Sequence, residues 1–125
     1  MIDCGYQGFE SILKFFTSKE NELIKLIENV RTRIRTYFKL KNIDKKTNTF
    51  DIVGCSPEFL KEYLEKKFTE GMSWELMGQH IHIDHIIPLS SAKNEEELYK
   101  LCHYTNLQPL WAKDNLKKSN KIINL

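Results

Sequence analysis

The run HIHIDHIIPL at residues 80–89 limits the choice of fold more than any other part of the chain. His80, Ile81, His82, Ile83 and Asp84 alternate polar and apolar with a period of two, the pattern of a strand buried on one face. Ile81 and Ile83 are expected to face the core, and Pro88 to stop the strand. A second short strand is expected over LQPLW, residues 107–111, with Pro109 confining it to a sheet edge or an early break. Ala112 to Lys118 reads as a closing helix. Between the strands, Asn94 with Glu97 three residues later resembles a capping box and starts a short helix to Cys102. The C-terminal half is therefore strand, loop with a small helix, strand, helix, and the fold class is α+β. Strict alternation sends Asp84 and His85 to opposite faces, so a site that uses both requires the chain to bend at His85.

Upstream, Leu23, Ile24, Leu26, Ile27, Val30, Ile34, Tyr37 and Phe38 recur at helical spacing, which predicts a long amphipathic helix over residues 20–40. A shorter helix is expected from Phe9 to Phe16. The polar stretch KNIDKKTN, residues 41–48, has no periodicity and reads as a loop. Ser56 before Pro57 is a helix start, a capping hydroxyl followed by a residue whose missing N–H costs nothing there. That helix is expected to run to about Lys67, with one more helical turn from Trp74 to Met77.

At 125 residues and 41% hydrophobic content the chain can bury one modest core. It reads as a single compact domain overall, with residues 1–48 as a helical N-terminal arm and 49–125 as the core. Its three cysteines, Cys4, Cys55 and Cys102, form no CxxC pair, which argues against a disulfide framework, and no structural zinc is expected. The N-terminus lacks a basic stretch followed by an apolar one, and no apolar run approaches the ~18 residues of a membrane span, so an intracellular, non-secreted protein is expected. A net charge of +2 decides little, but its distribution is uneven. Arg31, Arg33, Arg35, Lys39, Lys41, Lys45 and Lys46 face only Asp44 in sequence, and Lys113, Lys117, Lys118 and Lys121 face only Asp114.

Chemistry concentrates where the two strands and the last helix meet. Asp84 offers a carboxylate and Asn115 an amide carbonyl, hard oxygen ligands suited to magnesium, which takes few protein ligands and leaves room for phosphate oxygens. His85 would stand beside the ion as a neutral imidazole able to take a proton from water. Asn106 has the donors and acceptor to bind backbone groups of the loop and fix the His85 angle. His82 shares the strand face of Asp84 and is a candidate metal or phosphate contact.

The runs HIDHIIPLS and HYTNLQPLWAKDNLKKSNK, the latter at residues 103–121, resemble the HNH endonuclease family. The segments GCSPEFLKEYLEKKF and GMSWE, together with the arginine-bearing helix, look like the accessory region of small phage- and virus-type members. The resemblance implies a ββα-metal finger in the C-terminal half, preceded by N-terminal helices. It further implies His85 as general base, Asn106 as the residue orienting the histidine loop, and Asp84 and Asn115 as metal ligands. The last motif position, often histidine, is asparagine here, as in HNN variants, which favours Mg2+ or Mn2+ over softer ions.

The function so implied is hydrolysis of DNA phosphodiester bonds by a one-metal mechanism, leaving 5′-phosphate and 3′-hydroxyl ends. Double-stranded DNA is the expected partner, with a homodimer as an allowed assembly and no membrane. Arg31, Arg33, Arg35, Lys117, Lys118 and Lys121 are the expected DNA contacts. The rival readings are a non-catalytic DNA-binding module and a metal-stabilised interaction module.

Overall fold

A computed structural model describes residues 18–118; the helix expected at Phe9–Phe16, together with Cys4 and Lys121, lies outside the described residues. In chain order the elements are α1 (Ser18–Leu40), α2 (Thr49–Val53), α3 (Pro57–Glu65), β1 (Ile81–His85), α4 (Glu95–Leu101), β2 (Leu107–Trp111) and α5 (Ala112–Lys118). Single 3-10 turns at Trp74–Leu76, Leu89–Ser91 and Tyr104–Asn106 join them. The class is α+β: helices, then a two-stranded antiparallel sheet closed by a helix.

Each local start has a chemical cause. The Ser56 hydroxyl accepts the Phe59 N–H at 3.1 Å, and Pro57 opens α3. Asn94 accepts the Glu97 N–H at 2.9 Å to start α4, while the Glu97 carboxylate reaches back to the N–H of Lys93 at 2.8 Å. The box is thus closed one residue upstream of its usual place, which is the N–H of the cap itself. Helix α2 was not expected, because five residues are too few to show a period; Gly54 ends it in the left-handed region at φ 88°. A side chain at Gly54 would also meet the His103 ring at 2.6 Å.

In α1 the stripe Leu26, Val30, Ile34 and Phe38 is buried against Val53, Leu60, Leu64 and Ile83 in one core. Burying those four side chains is worth roughly 1.5–3 kcal/mol each before ordering costs, too much for a helix merely laid beside a core. The helix is therefore a wall of the domain rather than an arm, and the loop at 41–48 joins two parts of one core. Cys55 and Cys102 are free thiols, and burial raises both, that of Cys102 to about 12, as suits inert core residues.

Strands β1 and β2 pair in the register Ile81↔Trp111, His82↔Leu110, Ile83↔Pro109, Asp84↔Gln108 and His85↔Leu107. The pairing continues past both ends, with Ile86 N–H on the Asn106 carbonyl and Ala112 N–H on that of His80, each at 2.8 Å. Among the described residues no further strand pairs with β2, so Pro109 is tolerated in mid-strand on its outer edge. Among the described residues no helix is long and apolar enough to cross a membrane.

Candidate metal and catalytic site

The polar end of β1 looks into a cleft of about 410 Å³ between α1 and α5. Asp84, His85, Asn115, Lys118 and Arg33 all line it. No bend at His85 is needed to bring Asp84 and His85 together. The strand runs straight through His85, and the chain turns at residues 86–87. Asp84 and His82 bond to α5, whereas Ile83 and His85 line a small gap against Val30 and Ile34 of α1. The cleft lies between those two helices and so meets both faces at the strand end.

On the α5 side both carboxylate oxygens of Asp84 are bonded. Asp84 is 5% exposed, and its Oδ2 accepts from Gln108 Nε2 at 3.0 Å. Its Oδ1 lies 3.3 Å from the Lys118 ammonium, which also donates to the His85 carbonyl at 2.9 Å. Lys118 is 1% exposed, which corrects its expected place as a surface phosphate contact: its charge is spent inside the site, on Asp84. The Asn115 amide donates from Nδ2 to His82 Nδ1 at 2.9 Å, which leaves the neutral His82 proton on Nε2. The Asn115 Oδ1 has no bonding partner among the described residues. Burial and the Arg33 charge lower the His82 pKa, while Asp84 works the other way.

On the α1 side the pattern reverses. His85 is 8% exposed, and its Nε2 is buried with no hydrogen-bond partner among the described residues. Burial first, then the charges of Arg33 and Lys118, push its pKa down to about 3, so the imidazole is neutral at physiological pH. A buried nitrogen without a protein partner is rare in a folded protein.

Asn106 holds the loop that follows. Its Oδ1 accepts the Ile87 N–H at 2.9 Å, and its Nδ2 donates to the carbonyls of Ile87 at 3.0 Å and Leu101 at 2.8 Å. The turn after His85 is thereby locked to the turn before β2.

The three arginines separate. At about 100° per residue, Arg31 and Arg35 lie about 40° apart on the helix and Arg33 about 160° from each. Arg33 lines the cleft, while Arg31 and Arg35 flank a different hollow with Lys45. Lys117 is exposed on α5. Sequence reasoning missed Gln108 as a partner of Asp84; the strand register would have revealed it.

The donor set suits a small hard cation. Among the described residues no three His, Cys, Asp or Glu side chains gather at one point, and the oxygens on offer are one carboxylate and one amide. A carboxylate has about four lone-pair sites, of which Gln108 and Lys118 take two, and the Lys118 ammonium already stands where positive charge is favoured. These residues fit an ion that keeps most of its shell for water and phosphate.

No family model matches the chain, and no solved structure matches it. It is 32% identical over 96 residues to the protein named Uncharacterized protein L426 of Acanthamoeba polyphaga mimivirus, covering 75% of this chain and 41% of that protein. To Uncharacterized protein L246 of the same virus it is 30% identical over 118 residues, covering 84% of this chain and 51% of that protein. The chain thus spans about half the length, or less, of the curated relatives it matches.

Proposed function

We propose that the chain is a divalent-metal-dependent HNH endonuclease, with β1, the loop, β2 and α5 as a ββα-metal finger that hydrolyses DNA phosphodiester bonds. The observation that carries this reading is the meeting of Asp84, Asn115 and an unbonded, neutral His85 in one cleft. Asp84 and Asn115 would hold magnesium or manganese, and the ion would supply charge stabilisation at a phosphate oxygen.

His85 acts as general base. With its proton on Nδ1, the unbonded Nε2 would take a proton from a water whose oxygen attacks phosphorus; the P–O3′ bond breaks and the leaving 3′ oxygen takes a proton from solvent water, giving a 5′-phosphate and a 3′-hydroxyl. Burial first, and then the charges of Arg33 and Lys118, hold its pKa down, and an arriving phosphodiester anion offsets the part due to the two cations. Binding substrate therefore makes the imidazole a better base. Asn106 fixes the loop behind His85 and is a positioning residue; His82 orients the Asn115 amide. Double-stranded DNA is the partner, with Lys117, Arg31, Arg35 and Lys121 as further phosphate contacts and a homodimer as an allowed assembly. The viral source of the two relatives suits an enzyme working inside an infected cell.

The test is supercoiled plasmid with Mg2+, with and without chelator. Wild type is expected to nick or linearise it, chelator to stop the reaction, and His85→Ala to slow it by about 10²–10⁴-fold. Cleavage by His85→Ala at the wild-type rate would overturn the assignment. One observation favours a second reading, a non-catalytic DNA-binding or metal-stabilised interaction module: Lys118 already balances Asp84 without an ion. Duplex binding without Mg2+-dependent cleavage would select it.

A further inference from the structure

We infer that Arg33 is a catalytic residue, its guanidinium contacting the scissile phosphate, whereas Arg31 and Arg35 serve only affinity. This role rests on the endonuclease reading above. Arg33 comes from α1, an element that supplies none of Asp84, His85, Asn106 or Asn115, yet it lines the same cleft as three of them. It also lines the small gap beside the His85 ring.

The other cation of the cleft, Lys118, is committed to Asp84 and the His85 carbonyl. Arg33 has no such commitment, and its side chain is exposed on the cleft wall. A guanidinium offers paired donors in a planar fork, which matches two oxygens of one phosphate. Charge grows on those oxygens as water adds and the 3′ oxygen leaves, so the contact strengthens toward the transition state. Arg31 and Arg35 project about 160° away around the helix and cannot reach the same phosphate. Arg31 faces Glu28 at 3.9 Å, and both arginines line the hollow with Lys45.

Because the three residues share one helix and one chemistry, each is a control for the others. Arg33→Ala, Arg33→Lys, Arg31→Ala and Arg35→Ala are compared in single-turnover cleavage of a saturating duplex with Mg2+, and in duplex binding with Ca2+ in place of Mg2+. Arg33→Ala is expected to lower the saturating rate about 10²-fold, with Kd changed less than about threefold. Arg33→Lys should recover part of that rate, and methylguanidine added to Arg33→Ala should recover some. Arg31→Ala and Arg35→Ala should raise Kd more than Arg33→Ala does and lower the saturating rate far less than it. If cleavage depends on His85 but Arg33→Ala keeps the full saturating rate, the role of Arg33 is overturned alone. If wild type does not cleave at all, the endonuclease reading fails and takes this role with it.

Discussion

On one face of β1, Asp84 has an oxygen on Gln108 and the other on Lys118, and His82 is bonded to Asn115. One residue along, on the other face, the His85 ring is almost as deeply buried and its Nε2 has no hydrogen-bond partner among the described residues. The first arrangement is what a stable interior requires of its polar groups. The second costs about 1–3 kcal/mol of unrecovered desolvation, so the fold carries it against its own stability. The contrast separates the two faces of the strand: α5 and Gln108 organise the carboxylate, and α1 keeps the His85 imidazole dry and neutral beside it.

Substitutions on the two faces should separate accordingly. The largest effect is expected from Lys118→Met, which leaves Asp84 buried without its countercharge and should cost about 3–5 kcal/mol in urea unfolding. Mn2+ should restore more stability to this variant than it adds to wild type, because the ion takes over the charge that Lys118 balanced. An equal Mn2+ effect on both proteins would place the ion elsewhere. Next, Asn106→Ala removes three hydrogen bonds and strands the Ile87 N–H and two carbonyls; a loss of about 2–3 kcal/mol is expected, with cleavage reduced through misplacement of His85.

On the α1 face the sign changes. His85→Leu should leave stability within about 1 kcal/mol of wild type, or raise it, while abolishing cleavage. A loss as large as that of Lys118→Met would mean that His85 is a structural residue. Its titration adds a pH test. The folded imidazole has its pKa at about 3 and the unfolded one near 6.5, so both are neutral above pH 6.5 and the titration of His85 then contributes nothing to the stability. As pH falls from 6.5 toward 3 the unfolded chain takes up a proton that the folded chain refuses, and stability drops by at most about 1.4 kcal/mol per pH unit from this group. His85→Leu should flatten that part of the curve.

Sequence and structure meet best where the signal is local. The alternation of Ile81 and Ile83, the Ser56–Pro57 start and the Asn94 cap each depend on neighbours within four residues, and β1, α3 and α4 form where they are expected. Asp84, His85 and Asn115 do line one cleft, but without the bend at His85 that the alternation pattern required. The Gln108 and Lys118 bonds to Asp84 span 24 and 34 residues, and only the register of β1 on β2 and the packing of α5 fix them. Nothing in a lysine beside another lysine distinguishes the buried one. The separation of Arg33 from Arg31 and Arg35 was implicit in helix geometry, but its meaning needed the position of β1.

The smallest effect should come from the far side of α1. Arg31→Ala or Arg35→Ala is expected to lower the slope of log affinity against log salt by about 1, as one phosphate contact is lost.

Crystals grown with Mn2+ and measured near its absorption edge give the most direct view of the site. One anomalous peak in the cleft, bonded to an Asp84 carboxylate oxygen and to Asn115 Oδ1, with His85 Nε2 facing its water shell, is the expected result. A peak that touches neither residue, or Mn2+ at saturating concentration with no peak between α1 and α5, would contradict it.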